Sequence, residues 1–162
     1  VNIALAPFSK KYMIFSSLLT STFESLGMSL IGIIVYTTFT SITLSLSSTL
    51  FLFFCLIIYL FLLGNLYITI SLLIDALTTM FLATSMIFIF ILFGSGFLIE
   101  FSFFPVGIES FLRWLPLSIP FQIFHKFNST GLVDWVFLSI LCIVIYLWII
   151  FNSFILKRRL SQ

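Results

Sequence analysis

The chain has 162 residues, of which 62% are hydrophobic and 7% are charged, and its mean hydropathy is +1.32. Soluble domains carry about 25% charged residues, so this composition argues against a water-soluble fold. The net charge of +2 is small and the basic residues lie at the ends of apolar segments, which argues against nucleic-acid binding. We expect a single all-α, polytopic integral membrane domain.

Four apolar segments are long enough to cross a bilayer as helices, which takes about 20 residues each. The predicted spans are residues 13–44, 50–73, 78–98 and 132–156, with residues 1–12 as a cytoplasmic lead-in. The first segment exceeds the length that a span needs, so we expect its first turns to lie at the membrane interface. No linker divides the chain, and one transmembrane domain over residues 1–162 is the simplest organisation.

Residues 99–128 interrupt this pattern between the third and fourth spans. Pro105, Pro116 and Pro120 each remove a backbone donor and clash with the preceding turn, so this stretch cannot form one membrane helix. It is also richer in Phe, Leu and Ile than an aqueous loop. Irregular backbone at membrane depth is tolerated where it lies against protein or a water-filled cavity. We therefore predict a re-entrant or interfacial helical hairpin.

The distribution of positive charge predicts the orientation of the chain. Four spans place both termini on the same side of the membrane. That side carries five basic residues and the hairpin side carries two, namely Lys10, Lys11, Lys157, Arg158 and Arg159 against Arg113 and Lys126. Because cytoplasmic loops carry an excess of Lys and Arg, we expect both termini in the cytoplasm and the hairpin on the outer face of the plasma membrane.

Few side chains could carry chemistry. Glu24 lies inside an apolar run, and an ionisable residue at membrane depth is a functional candidate by default; the alternative is that it lies near the headgroups. Glu100 and Glu109 flank Pro105, and Arg113 follows Glu109 at the i+4 position that favours a helical ion pair. A substrate contact by these carboxylates is the alternative, and nothing else in the sequence supports acid/base catalysis by them.

Small residues and cysteines have simpler interpretations. Gly27 and Gly32, with Ser25 and Ser29, could form a contact between protomers or pack within one subunit. The cysteines, Cys55 and Cys142, lie in apolar runs and are interpreted as buried small hydrophobic residues. Two separated cysteines and one histidine give no metal-ligand spacing, so we predict no metal site.

Several short motifs occur in a characteristic order. They are Ala6–Tyr12 before the first span, Ser95-Gly96 after the third, Phe104-Pro105, Leu115-Pro116 and Ile119-Pro120-Phe121 in the hairpin, and Lys157-Arg158-Arg159 after the last span. In order and spacing they resemble the C-terminal two-thirds of a type-2 ABC transporter permease. Such permeases usually have six spans, and this sequence has counterparts of the last four; it is therefore either truncated or a reduced version.

The resemblance implies a permease dimer that forms a translocation path above two cytosolic ATPase subunits. It places Pro7, Phe8, Lys10 and Lys11 at the contact with the ATPase. It assigns the outer gate to the hairpin, with Gly96, Glu100, Pro105, Glu109, Arg113, Pro116 and Pro120. ATP and Mg²⁺ are expected in the partner subunit, because this sequence has no GxxxxGK[ST] loop, and the chain itself is not expected to be an enzyme.

Two other classes of protein remain as alternatives. One is a small membrane structural or assembly protein that binds a partner and transports nothing. The other is an intramembrane enzyme, which needs clustered polar residues at membrane depth, where this sequence offers only Glu24. Membrane lipid is an expected partner in either case, and no sequence feature selects a transported substrate.

Overall fold

The computed structural model of the chain describes residues 9–40, 45–96 and 101–160. Within these ranges the fold is entirely helical, which confirms the predicted all-α class. It consists of a short 3-10 turn at Phe101–Phe103 and six α-helices: α1 (Lys10–Thr40), α2 (Leu46–Leu73), α3 (Leu77–Gly94), α4 (Val106–Trp114), α5 (Ile119–Thr130) and α6 (Trp135–Leu160).

Four of these helices, α1, α2, α3 and α6, are long and apolar enough to cross a membrane, as the sequence predicts. At 1.5 Å per residue, α2 is about 42 Å long and α3 is about 27 Å long, against a hydrocarbon core of about 30 Å. The helices α4 and α5, with 9 and 12 residues, are too short to span. The described residues therefore form four candidate spans and one short helical pair.

The helix ends differ from the predicted limits of the spans for local reasons. The serine-rich stretch before α2 begins the helix, because Ser45 is its N-cap and its hydroxyl accepts a hydrogen bond from the Ser48 amide at 3.2 Å. Likewise, α6 continues through the basic cluster to Leu160. At the end of α5, Gly131 adopts the left-handed conformation (φ 70°) as the C-cap.

Helix α2 lies at the centre of the molecule and contacts α1, α3, α5 and α6. One apolar core joins α2, α3, α5 and α6 with the turn before α5, through Cys55, Ile58, Leu62, Ile91, Leu117, Ile119, Ile123, Leu138 and Leu141. A smaller core joins α1 to α6 through Ile14, Leu18 and Ile149. Helix α1 approaches α2 closely at Gly64, where a Cβ would lie 2.8 Å from the end of the Leu18 side chain.

The short helix α5 runs antiparallel to the first half of α2. The ring of Phe121, near the start of α5, lies 4.9 Å from that of Tyr59, and the ring of Phe127, near its end, lies 4.2 Å from that of Phe51. Tyr59 is near the midpoint of α2, so the turn between α4 and α5 reaches the middle of the bundle. The chain then returns along α2 toward its N-terminal end.

At the opposite end of the bundle, Arg159 joins the ends of two helices. Its guanidinium forms an ion pair with Asp75, in the link between α2 and α3, and donates to the carbonyl oxygens of Ser71 (3.0 Å) and Leu72 (3.1 Å). A cation at the C-terminus of α2 satisfies carbonyl groups that have no partner within the helix. The contact holds the C-terminal ends of α2 and α6 side by side.

Candidate functional site

A cleft of about 680 Å³ lies beside α4 and α5. Its walls are mainly aromatic and aliphatic, and its edge carries several polar and charged groups. The lining residues are Gly96, Phe101, Ser102, Arg113, Trp114, Ile119, Phe121, Gln122, Ile123, His125, Lys126, Asp134 and Phe137. Small-molecule sites in proteins typically combine apolar walls with a few polar groups, so this cleft is the main candidate site.

The backbone at Gly96 shapes one edge of the cleft. Gly96 has φ +76°, which side chains rarely adopt, and a Cβ there would clash with the ring of Phe101. Two residues earlier, a Cβ on Gly94 would lie 3.0 Å from Leu112 of α4. These two glycines let the end of α3 lie directly against the beginning of the hairpin.

Buried hydrogen bonds fix the turn between α4 and α5. Ser118 is fully buried, and its hydroxyl donates to the carbonyl oxygen of Leu112 at 2.7 Å. The amide of Gln122 donates to the carbonyl of Arg113 at 2.8 Å. Pro120 is buried in the first turn of α5, where its missing amide proton costs no helical hydrogen bond, and Pro116 lies in the turn itself. These hydrogen bonds stabilise the observed conformation of the hairpin tip.

Two ion pairs lie at the edge of the cleft. The predicted pair between Glu109 and Arg113 forms at 2.8 Å, and the same guanidinium carbon lies 4.9 Å from the centre of the Phe101 ring. Lys126 pairs with Asp134 at 2.7 Å, and this hydrogen bond lowers the pKa of the Asp134 carboxyl below its ordinary value. Arg113 and Lys126 at this edge thus each have an acidic partner.

Only part of the predicted site can be located. Pro7, Phe8 and Glu100 lie outside the described residues. Lys10 and Lys11 form the start of α1, far along the bundle from the cleft. Pro105 is the N-cap residue of α4. The structure therefore brings the described hairpin residues together and leaves the two lysines at the other end.

Glu24 is separate from the cleft. It is exposed near the midpoint of the 31-residue α1, beside a shallow depression that it lines with Ser25, Met28 and Ser29. Among the described residues it makes no ion pair or side-chain hydrogen bond. Its position in the helix places it away from both ends of the bundle.

The sequence analysis missed a polar cluster between α2 and α6. The Asn152 amide donates to the backbone oxygen (3.1 Å) and side-chain oxygen (3.2 Å) of Asn65, and both asparagines are fully buried. The Thr69 hydroxyl donates to Asn152 Oδ1 at 2.7 Å and accepts from Trp148 Nε1 at 2.9 Å. We call these four residues the α2–α6 polar cluster. Single asparagines inside long apolar runs were the signal that could have predicted it.

The cysteine prediction is correct for Cys55, which is buried, and wrong for Cys142, which is exposed on α6. The periodicity of a uniformly apolar helix does not reveal which face is covered by protein, and Cys142 lies on an uncovered face. Within the described residues, no group of three or more His, Cys, Asp or Glu side chains is close enough to hold a metal ion.

Comparison of the chain with known protein families, with curated proteins and with solved structures finds no match. The four long apolar helices indicate a multi-pass membrane protein. A finer assignment rests on the geometry of the chain and on its sequence motifs.

Proposed function

We propose that this protein is the membrane-spanning permease subunit of an ATP-driven ABC exporter, in which a separate ATPase subunit hydrolyses ATP. The observation that carries the proposal is the helical hairpin of α4 and α5. Its tip lies level with Tyr59, near the middle of α2, and α5 then returns along α2. A re-entrant element of this kind on one face of a helical bundle is suited to closing a translocation path.

The cleft beside the hairpin supports this role. It has room for part of a molecule of moderate size, and it combines apolar walls with the Glu109–Arg113 and Lys126–Asp134 pairs at its edge. Such a surface accommodates an amphiphile or an apolar compound without fixing one chemical structure. In the proposed protein the hairpin is the outer gate, and this cleft lies on the route by which a substrate leaves.

The opposite end of the bundle is suited to binding a soluble partner protein. Lys11 and Lys157 are exposed there, and Arg159 fixes the ends of α2 and α6 to each other. By the excess of positive charge this end faces the cytoplasm, with the protein in the plasma membrane. The proposed ATPase binds at this end and carries ATP and Mg²⁺, and a second permease subunit completes the path.

A pull-down of the tagged chain from its native membranes in mild detergent, with mass spectrometry, tests the proposal. We expect a soluble protein with a Walker A loop, and we expect Lys11→Gln to reduce its recovery. Arg113→Gln, which changes one charge at the other end of the bundle, is the matched control and should leave recovery unchanged. Purification of the chain without any ATPase would refute the proposal and favour a structural or assembly protein.

A further inference from the structure

Glu24 lies near the middle of the bundle, measured along the axes of its helices. Helix α1 contacts α2 where Leu18 meets Gly64. Glu24 is roughly 9 Å further along α1, which brings it level with the middle of the antiparallel α2, near Ile58. From there α2 continues for about 18 Å before its N-terminal end. With α2 centred in the bilayer, a glutamate side chain at this depth is too short to reach the headgroups, and this favours the intramembrane alternative for Glu24.

The exposed apolar neighbours of Glu24 on α1 are suited to contact with lipid, whereas its carboxyl group is not. Met28 and Ile31 are 75% and 60% exposed, which is ordinary for side chains that face acyl chains. A carboxyl group at the same depth is strongly disfavoured unless another polar group meets it. Since no described residue of this chain does so, we look to another molecule for the partner.

The face around Glu24 is suited to close contact with another helix. Gly27 and Met28 follow Glu24 by three and four residues, and Thr20 and Ile31 continue the same spacing in the two directions, so all five lie on one side of α1, and all five are exposed. A Cβ on Gly27 would meet nothing within 4 Å. This glycine therefore packs against no described residue of the subunit and leaves room for a second backbone beside the carboxyl.

The hydroxyl groups near Glu24 can only accept further hydrogen bonds. Thr20 Oγ1 donates to the carbonyl oxygen of Ser16 at 3.1 Å, and Ser29 Oγ donates to that of Ser25 at 2.8 Å. An uncharged carboxyl both donates and accepts. Two such carboxyls can satisfy each other directly, with the hydroxyl oxygens as further acceptors, and the face is thereby complementary to a copy of itself.

We propose that a second copy of this chain packs against this face of α1, with the two Glu24 carboxyls hydrogen-bonded across a two-fold axis and Gly27 at the closest approach. A two-fold interface places the same residues of both copies opposite each other, so one Glu24 always meets the other. The described cations of this chain lie at helix ends or in the hairpin, so a second copy offers this carboxyl and no basic group. The inference deepens the proposed function, because it names the contact between the two permease subunits, and it rests on that function for the presence of a second copy.

Cysteine cross-linking in membranes tests the contact. In a Cys142→Ser background, Met28→Cys places a thiol on the proposed interface and Met86→Cys places one on α3. Met86 is 67% exposed and lies at the middle of its helix, so it is a matched control. We expect oxidation to give a disulfide-linked dimer severalfold faster at residue 28 than at residue 86. Equal rates at the two positions, or cross-linking of residue 28 to a different protein, would overturn the proposal.

The second measurement is the association of two copies of the chain when Glu24 is substituted. It uses energy transfer between donor-labelled and acceptor-labelled copies in vesicles. Glu24→Gln keeps a group that donates and accepts, and it should leave association nearly unchanged. Glu24→Leu should weaken association by roughly tenfold, the size expected for one or two interhelical hydrogen bonds. Unaltered association of Glu24→Leu would refute the contact.

The pull-down separates the two proposals. If the ATPase is recovered with the Glu24→Leu chain while residue 28 does not cross-link, only the interface is wrong. If residue 28 cross-links and no ATPase is ever recovered, only the permease function is wrong.

Discussion

Thr69 is the member of the α2–α6 polar cluster whose contribution can be measured most directly. Thr69→Val removes its hydroxyl and preserves the branched shape of the side chain. The hydroxyl makes two interhelical hydrogen bonds, from Trp148 Nε1 at 2.9 Å and to Asn152 Oδ1 at 2.7 Å. Interhelical hydrogen bonds in membrane proteins contribute about 0.6 kcal/mol on average and up to about 1.7 kcal/mol. We therefore expect Thr69→Val to lower the free energy of unfolding by roughly 1–3 kcal/mol.

Reversible unfolding in mixed detergent micelles, followed by tryptophan fluorescence, measures this difference. Thr20→Val is the matched control, because the Thr20 hydroxyl bonds only to the Ser16 carbonyl of its own helix. A double-mutant cycle of Thr69→Val with Trp148→Phe isolates the bond between those two side chains. The free energies of unfolding of Thr69→Val and Thr20→Val are then compared. A difference of less than about 0.3 kcal/mol is within the usual error of additivity and would show that the cluster does not stabilise the fold as we infer.

Three further changes probe the hairpin and the ends of α2 and α6. Gly96→Ala should lower the free energy of unfolding by about 1–2 kcal/mol because of its left-handed backbone, and further because the new Cβ would clash with Phe101. Gly107→Ala is the control and should not destabilise the fold, because a Cβ there would meet nothing within 4 Å. Equal melting temperatures of the two variants would contradict this. Because hydrogen bonding to Lys126 lowers the pKa of Asp134 from 3.8, that pair should be retained above pH 3.8 and lost as the pH falls through the lowered value. A pH titration of stability checks this, and Lys126→Gln should remove the dependence. Arg159→Gln should speed amide exchange at the C-terminal end of α2, and unchanged exchange would show that its contacts there are dispensable.

The number and type of helices could be predicted because they depend on local properties of the sequence. A run of about 20 apolar residues has few stable alternatives to a membrane helix, since its backbone groups must be paired within the segment. The break after α3 was equally visible, because three prolines cannot belong to one helix. The pair between Glu109 and Arg113 was predictable for the same reason, as it forms within a single turn of α4.

The contacts between distant segments could not be predicted in this way. Asn65 and Asn152 are single polar residues in separate apolar runs, and their pairing depends on the rotation and depth of α2 and α6. The contact of Arg159 with the link after α2 could not be predicted either. Its position in the sequence indicated only that the last span ends in a basic cluster. The exposed face of α6 at Cys142 was also hidden, because lipid and protein both accept apolar side chains.

The weak attachment of α3 makes this helix sensitive to the bilayer. Only Ile91 and Gly94 of its 18 residues are buried, and both lie at its C-terminal end beside the hairpin. Its length of about 27 Å is slightly less than an average hydrocarbon core. A helix held by few protein contacts adjusts its tilt and position to the thickness around it. A change in bilayer thickness therefore acts on α3 first, and through the close contact of Gly94 with Leu112 it reaches α4 and the hairpin.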